Sequence, residues 1–332
     1  MALLPANQRS ELFEETARVK RVLPAIVEKD FWVCWVLKKL FESDLESDLV
    51  FKGGTSLSKV FGLIDRFSED IDLVLNWQRL GYGKHGKDPW EEQPSANQQN
   101  KFNQAFNQQA QRYIETELCP TIQRLLASCP DVTPMVSQTE SQVIDIRYPA
   151  AFDLAALRPE VKLEIGPLAS WVPSAKHTIR PYAADAFANV FDDPDCPVVA
   201  ITAERTFWEK ATILHQQSHR STPIPPGYSR HYYDMYHLAR SDVKATAFSD
   251  RALLDDVVQF KKRFYRCPWA RYEEAYPGTF RLVPPPEREA ELASDYRAMR
   301  AMIFKTPPSW KSILNEMQKL EDEINSMKKS SL

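Results

Sequence analysis

The sequence predicts an α/β protein: a mixed sheet flanked by helices, followed by a second domain built from helices. Three observations carry this. Residues 70–75 (DIDLVL), 143–148 (VIDIRY) and 161–165 (VKLEI) are short segments in which side chains alternate, as strands require. Residues 25–40 and 97–127 instead repeat their apolar positions at helical spacing. Beyond residue 198 the helical period dominates. A chain of 332 residues has room for two domains. We place the first at 1–197, with a helical insertion at about 79–135, and the second at 198–332.

Taken in order, the chain opens with a short helix around Gln8 to Arg21. In the next helix Ile26, Val33, Leu37 and Leu40 form one stripe, widened by Trp32 and Val36, so it is expected to be buried on most sides. Asp30 falls near the edge of that stripe and needs a partner, because an unpaired buried carboxylate is costly. It either caps or pairs locally at a surface edge, or belongs to a functional site. Residues 42–48 (ESDLESD) make an acidic turn, and 49–51 (LVF) a first strand.

The chain is organised around the stretch that follows, FKGGTSLSKVFGLIDRFSEDIDLVL at 51–75. Gly53 and Gly54 make a turn without Cβ atoms, so backbone N–H groups can approach a ligand closely. Thr55 and Ser56 stand at a helix start, a natural seat for phosphate, and the helix runs to about Leu63. On the strand beyond, Asp70 and Asp72 point to one face while Ile71 and Leu73 point to the core. Two adjacent carboxylates repel, and each raises the cost of ionising the other. A divalent cation between them relieves this, and oxygen ligands of this kind suit Mg²⁺ with substrate phosphates completing its shell. Phosphate seat and carboxylate pair together are what transfer from a nucleoside triphosphate needs.

Gly81 to Pro94 is expected to be an irregular loop. The Gln- and Asn-rich segment from Asn97 has Phe102, Phe106, Tyr113 and Ile114 at helical spacing, so it is a helix and not a prion-like tract. The strands at 143–148 and 161–165 are expected to pair antiparallel. A proline-rich connection with short strands near 178–181 leads to the domain boundary near Pro197. Thr202 then caps a helix over 203–214, in which Ala203, Phe207, Ala211 and Leu214 define the apolar face. Lys210 lands at the centre of that face, where patterning forbids an ordinary surface lysine. Either its stem lies along the core with the ammonium in solvent, or the ammonium serves a triphosphate. In the next helix, RHYYDMYHL at 230–238, Arg230, Asp234 and His237 share a face. His215 and His219 have metal-ligand spacing, but without the Glu and third ligand of H-E-x-x-H they read as a solvated pair or loop edge. In residues 259–272 (QFKKRFYRCPWARY) five cations interleave with Phe264, Tyr265, Trp269 and Tyr272. This is either a single-stranded nucleic-acid surface or the basic face of an amphipathic helix. Ile313, Met317, Leu320 and Ile324 mark a terminal helix.

Composition narrows the class. Apolar residues at 43 % and charged residues at 26 % are ordinary for a soluble globular protein. A net charge of −3 excludes a protein that is basic over its whole surface, so nucleic acid would have to meet a local patch. Five scattered cysteines without C-x-x-C point to reduced thiols and the cytoplasm. No secretory signal or membrane-spanning run is expected.

The order GG[ST], helix, DxD resembles the nucleotidyltransferase superfamily that includes DNA polymerase beta. The wording FKGGTSLSK followed by RFSEDIDL is more narrowly similar to the AbiEii family, nucleotidyltransferase toxins of abortive-infection and type IV toxin–antitoxin systems. EKDFW at 28–32, KLEIG at 162–166, the WEKA segment around Lys210 and RHYYDMYHL extend the likeness from about Val27 to Leu238. The resemblance implies a nucleotidyltransferase core fold. It implies that Gly53, Gly54, Thr55, Ser56 and Ser58 hold the nucleotide, and that Asp70 and Asp72 hold Mg²⁺ (or Mn²⁺) with a third carboxylate. Glu164 is the candidate for that carboxylate and Asp145 its rival. Lys210 and Arg66 would neutralise developing charge, with Asp234 positioning Lys210 or the acceptor hydroxyl. It further implies an RNA acceptor, the tRNA 3′ end among them, and a cognate AbiEi-like antitoxin acting without a stable complex. Transfer to a small molecule, or nucleotide binding without transfer, are the alternatives.

Overall fold

The computed structural model describes residues 1–68, 70–83, 87–152 and 157–327. They divide into two compact units, Met1–Val60 with Phe67–Ile201, and Phe61–Arg66 with Thr202–Leu332.

The first unit opens with helices α1 (Ala6–Lys20) and α2 (Pro24–Phe41). Strand β1 (Leu49–Lys52) leads into α3 (Gly53–Lys59), and β2 is Asp70–Leu75. The insertion holds α4 (Ala96–Tyr113), a π-helical turn at Ile114–Leu118 and α5 (Cys119–Leu126). Strands β3 (Thr133–Val136), β4 (Val143–Arg147), β5 (Glu160–Gly166) and β6 (Ser174–Ile179) follow, then α6 (Tyr182–Ala186) and β7 (Cys196–Ile201). The strands form one mixed sheet in the order β3-β4-β5-β2-β1-β7-β6. The β2–β5 and β1–β7 pairs are parallel and the others antiparallel, including the expected β4–β5 pair. Helix α2 packs on β7 and β5. It is buried on most sides, with Trp32 fully enclosed and stacked on Tyr148 at 5.4 Å between ring centres.

Three details differ from expectation. The segment at 133–136 is an edge strand of the sheet, not part of the helical insertion. β7 runs through Pro197 to Ile201, so the first unit extends past the expected boundary. Helix α3 takes in Gly53 and Gly54 and ends at Lys59, and the following residues Phe61–Arg66 cluster with the second unit.

The second unit contains α7 (Ala203–Ser218), α8 (Ser229–Ala239), α9 (Val243–Ser249), α10 (Arg251–Phe264), α11 (Pro286–Met299) and α12 (Trp310–Ser326). Thr202 caps α7 as expected, accepting the Arg205 N–H at 3.4 Å. Helix α7 packs against α8, α9 and α10, and α8 against α11 and α12. No helix among the described residues is long and apolar enough to cross a membrane. All five cysteines are free, four of them buried.

Candidate functional site

Strand pairing in the first unit builds an acidic face. Asp70 and Asp72 alternate with the fully buried Ile71 and Leu73, so both carboxylates leave β2 on the same side. In the parallel ladder Asp72 stands opposite Glu164 and Asp70 opposite Lys162. Asp145 stands opposite Lys162 on the next strand out. Glu164 is thus the direct neighbour of an aspartate of the pair, whereas Asp145 is separated from Asp70 by Lys162. Burial works against the Lys162 charge. The Glu140 carboxylate at 2.6 Å and the charges of Asp70 and Glu164 outweigh it and hold the Lys162 pKa above its ordinary value.

The glycine turn is shaped by the same aspartate. Gly53 has φ +81°, in the left-handed region that a side chain disfavours. A Cβ placed there would land on the Asp72 carboxylate. Gly53 is therefore the residue that lets this carboxylate lie against the backbone entering α3. Thr55 joins the two halves of the motif, donating its hydroxyl to the Asp70 carbonyl at 2.5 Å. Ser56 donates to the Gly53 carbonyl at 2.9 Å and Ser58 to the Thr55 carbonyl at 3.1 Å. Thr55 and Ser56 are both buried, so their hydroxyls brace the turn.

Asp30 resolves as a buried, long-range ion pair, neither at a surface edge nor paired locally. Its carboxylate meets Lys59 Nζ at 2.7 Å and accepts the Tyr182 N–H at 2.6 Å. Lys59 also donates to the Arg180 carbonyl at 2.7 Å and lies 4.1 Å from the Tyr182 ring centre. Burial opposes its charge, but Asp30 prevails and the Lys59 pKa is raised. The pair clamps the C-terminal end of α3 to α2 and α6. Ser58 and Lys59 also line a polar cavity of about 560 Å³ with Thr178, Arg180, Tyr182 and Asp185.

Lys59, Lys52 and Lys162 were not singled out from the sequence. Lys52 stands opposite Asp72 on β1. Its place immediately before the two glycines was the available signal. Lys59 is in the motif too, but only the fold brings it to Asp30.

The second unit holds a separate charged cluster. Asp234 on α8 is fully buried and receives Arg66 Nε at 2.7 Å, Arg66 Nη2 at 2.8 Å and Lys210 Nζ at 2.7 Å. Lys210 thus keeps its ammonium out of solvent, at 6 % exposure, and Asp234 positions it. Burial alone would raise the Asp234 pKa, but the two cations hold it well below the carboxylate range. Burial pushes the Lys210 pKa down, and the pull of Asp234 does not fully restore it because Arg66 and Arg230 push the same way as burial. Two cations thus share the one carboxylate.

The family model of the nucleotidyl transferase AbiEii toxin of type IV toxin–antitoxin systems matches residues 35–316. The chain belongs to the AbiEii family. It is accordingly a nucleotidyltransferase toxin of the type IV class. The match begins after Asp30 and continues well past Leu238, where the likeness of the motifs ends. Among solved structures the chain resembles MenT4, the nucleotidyltransferase toxin Rv2826c from Mycobacterium tuberculosis H37Rv. Identity is 14 %, TM-score 0.43, and 97 % of each chain is covered. A candidate nucleotidyltransferase from H. pylori also matches at 14 % identity and TM-score 0.41, over 92 % of this chain and 97 % of that one. Superpositions this loose add nothing to what the family match establishes. No curated protein sequence is a significant match.

In this AbiEii protein the acidic face offers only hard oxygen donors, which suit Mg²⁺ or Mn²⁺. Among the described residues no three ligating side chains are gathered closely enough to enclose an ion. That is compatible with Mg²⁺, which takes one or two carboxylates and leaves the rest of its shell to water and phosphate oxygens.

The HQQSH histidines are not a solvated pair. His215 is fully buried. Its Nδ1 accepts the Arg281 N–H at 3.0 Å, which places the proton on Nε2 to donate to the Arg271 carbonyl at 3.0 Å. Burial lowers its pKa to about 4 against the pull of that carbonyl. An unfolded chain takes up the proton near pH 6.5, so the unfolded state binds more protons as the pH falls. Stability is therefore expected to decline from about pH 6.5 towards pH 4, by about 2 kcal/mol for His215 alone between pH 7.5 and 5. Urea unfolding of the wild type and of His215→Gln at both pH values checks this. Equal declines in the two proteins would remove His215 as the cause.

Proposed function

We propose that this AbiEii protein transfers a nucleoside monophosphate from a nucleoside triphosphate to RNA, with the tRNA 3′ end as acceptor. The observation that carries the reading is the acidic ladder of Asp70, Asp72 and Glu164, closed on one side by the side-chain-free backbone of Gly53. One or two carboxylates of the Asp70, Asp72 and Glu164 set would hold Mg²⁺, which when bound supplies charge neutralisation at the triphosphate and a more acidic acceptor hydroxyl. Gly53 and Gly54 let the phosphate chain come close to the backbone, and Thr55, Ser56 and Ser58 keep that turn in shape. The acceptor oxygen attacks the α-phosphorus in line, and its proton passes to the Asp72–Glu164 rung. The bond to the bridging oxygen breaks, and pyrophosphate leaves. Lys210, held by Asp234 at 2.7 Å, is proposed as the cation for the phosphates, in line with the family's WEKA segment.

Family membership supports a cognate AbiEi-like antitoxin, which we propose acts without a stable complex. Free cysteines and a substrate found inside cells support a cytoplasmic site of action.

The test is incubation with Mg²⁺, total bacterial tRNA and each labelled nucleoside triphosphate in turn. Asp70→Asn, Asp72→Asn is the control. Label on tRNA with wild type alone is the expected result and names the nucleotide. Transfer that survives in the double variant would overturn the reading. Nucleotide binding with no transfer to tRNA would move it to a small acceptor or to a regulator.

A further inference from the structure

The second unit exposes a patch that the nucleotidyl transfer chemistry does not use. From Val257 to Tyr272 the chain contains five cations and no acid. Helix α10 ends within it at Phe264, and the remainder is a loop with a short 3₁₀ turn at Pro268–Ala270. The aromatic residues therefore do not share one amphipathic helix face. Phe264, Ala270 and Tyr272 are buried and anchor the loop, whereas Tyr265 is 43 % and Trp269 38 % exposed.

Both exposed rings carry a cation. Lys261 Nζ lies 4.6 Å from the Tyr265 ring centre, and the Arg220 guanidinium carbon 5.0 Å from that of Trp269. Lys262 and Arg266 are exposed beside them. The loop has internal support. The Tyr272 hydroxyl donates to Gln216 Oε1 at 3.0 Å, and the Arg271 carbonyl accepts from His215 at 3.0 Å. Cations in the last turn of α10 are favoured by the helix dipole whatever else they do. That does not account for two large exposed rings beyond the helix end. Tyr265 also lies against Phe260 at 6.4 Å between ring centres, and the exposed parts of Trp269 and Tyr265 can stack on bases while neighbouring cations meet phosphates, the combination used to hold single strands. A net charge of −3 makes this local concentration of positive charge more telling.

We infer that Arg220, Lys261, Lys262, Tyr265, Arg266 and Trp269 form a contact surface for single-stranded RNA. The inference rests on RNA being the acceptor, as proposed above, but its test involves no transfer. A fluorescein-labelled short oligoadenylate is titrated with the full-length protein, without nucleotide, at several salt concentrations, and anisotropy is read.

Trp269→Ala is expected to weaken binding about tenfold with little change in salt dependence. Arg266→Ala is expected to weaken binding and reduce the steepness of its salt dependence by about one phosphate contact. Tyr265→Leu, which keeps bulk but loses the ring, guards against a folding defect, and thermal melts accompany each variant. Wild-type affinity in all three variants overturns the inference, as does duplex bound as tightly as the single strand. Salt-sensitive binding indifferent to Trp269 and Tyr265 reduces the patch to nonspecific electrostatics and also overturns it. If transfer to tRNA fails but oligonucleotide binding depends on these residues, the surface stands and the transfer reading falls. If transfer runs and binding ignores them, the reverse holds.

Discussion

Asp72→Asn is expected to reduce nucleotidyl transfer by at least about 10²–10³-fold, the usual effect of removing one group that stabilises charge at a reacting centre. The change keeps the shape of the side chain and removes its charge, so a bound cation loses an anionic oxygen while packing on β2 is retained. Asp72 is expected to be the more sensitive of the pair. It stands opposite Glu164 in the ladder, and it is the carboxylate that Gly53 accommodates. Asp70, opposite Lys162, has a cation already in register. Gly53→Ala reaches the same carboxylate from the other side. It adds a Cβ where Asp72 lies, on a backbone at φ +81°, so activity is expected to fall by a similar factor with about 1–3 kcal/mol lost in stability. Initial rates of label transfer, with thermal melts of each variant, check both. Wild-type rates in Asp72→Asn would remove this face from the reaction.

The elements carrying this face were legible in the sequence because their patterns are local. Alternation marked β2, β4 and β5, and the glycine pair with its flanking wording marked the turn. β7 was not legible, although it lies between β1 and β6. Pro197 reads as a breaker, and the apolar run CPVVAI lacks the alternation of a half-exposed strand. Edge strand β6 was placed only in part, since SAKHTI has no clear apolar face. The insertion of Phe61–Arg66 into the second unit is invisible to any linear division of the chain. In the candidate site, the acidic and glycine residues could be named from their local pattern, whereas several of the side chains that contact them could not. Asp30 called for a counter-charge, but the Lys59 that supplies it is distant in sequence and is found only by folding α2 against α3. Likewise His215 looks like half of an exposed pair until the chain at 271–281 is laid over it.

Asp234→Ala is expected to cost about 3–5 kcal/mol, because it takes from two buried cations the carboxylate that they share. The carboxylate receives three hydrogen bonds from Arg66 and Lys210, and all three residues are at most 6 % exposed. Lys210→Met is expected to cost far less. It keeps the length of the stem and leaves Asp234 bonded through both oxygens to Arg66, a balanced pair. It also removes an ammonium that burial already disfavours. This ordering separates structure from chemistry. A Lys210→Met protein that melts close to wild type yet transfers poorly places the ammonium in the reaction. One that transfers normally makes Lys210 a counter-ion for Asp234 and nothing more. Chemical unfolding of the two variants beside the transfer assay decides between these outcomes, and an Asp234→Ala protein as stable as wild type would mean that the cluster is open to water rather than buried.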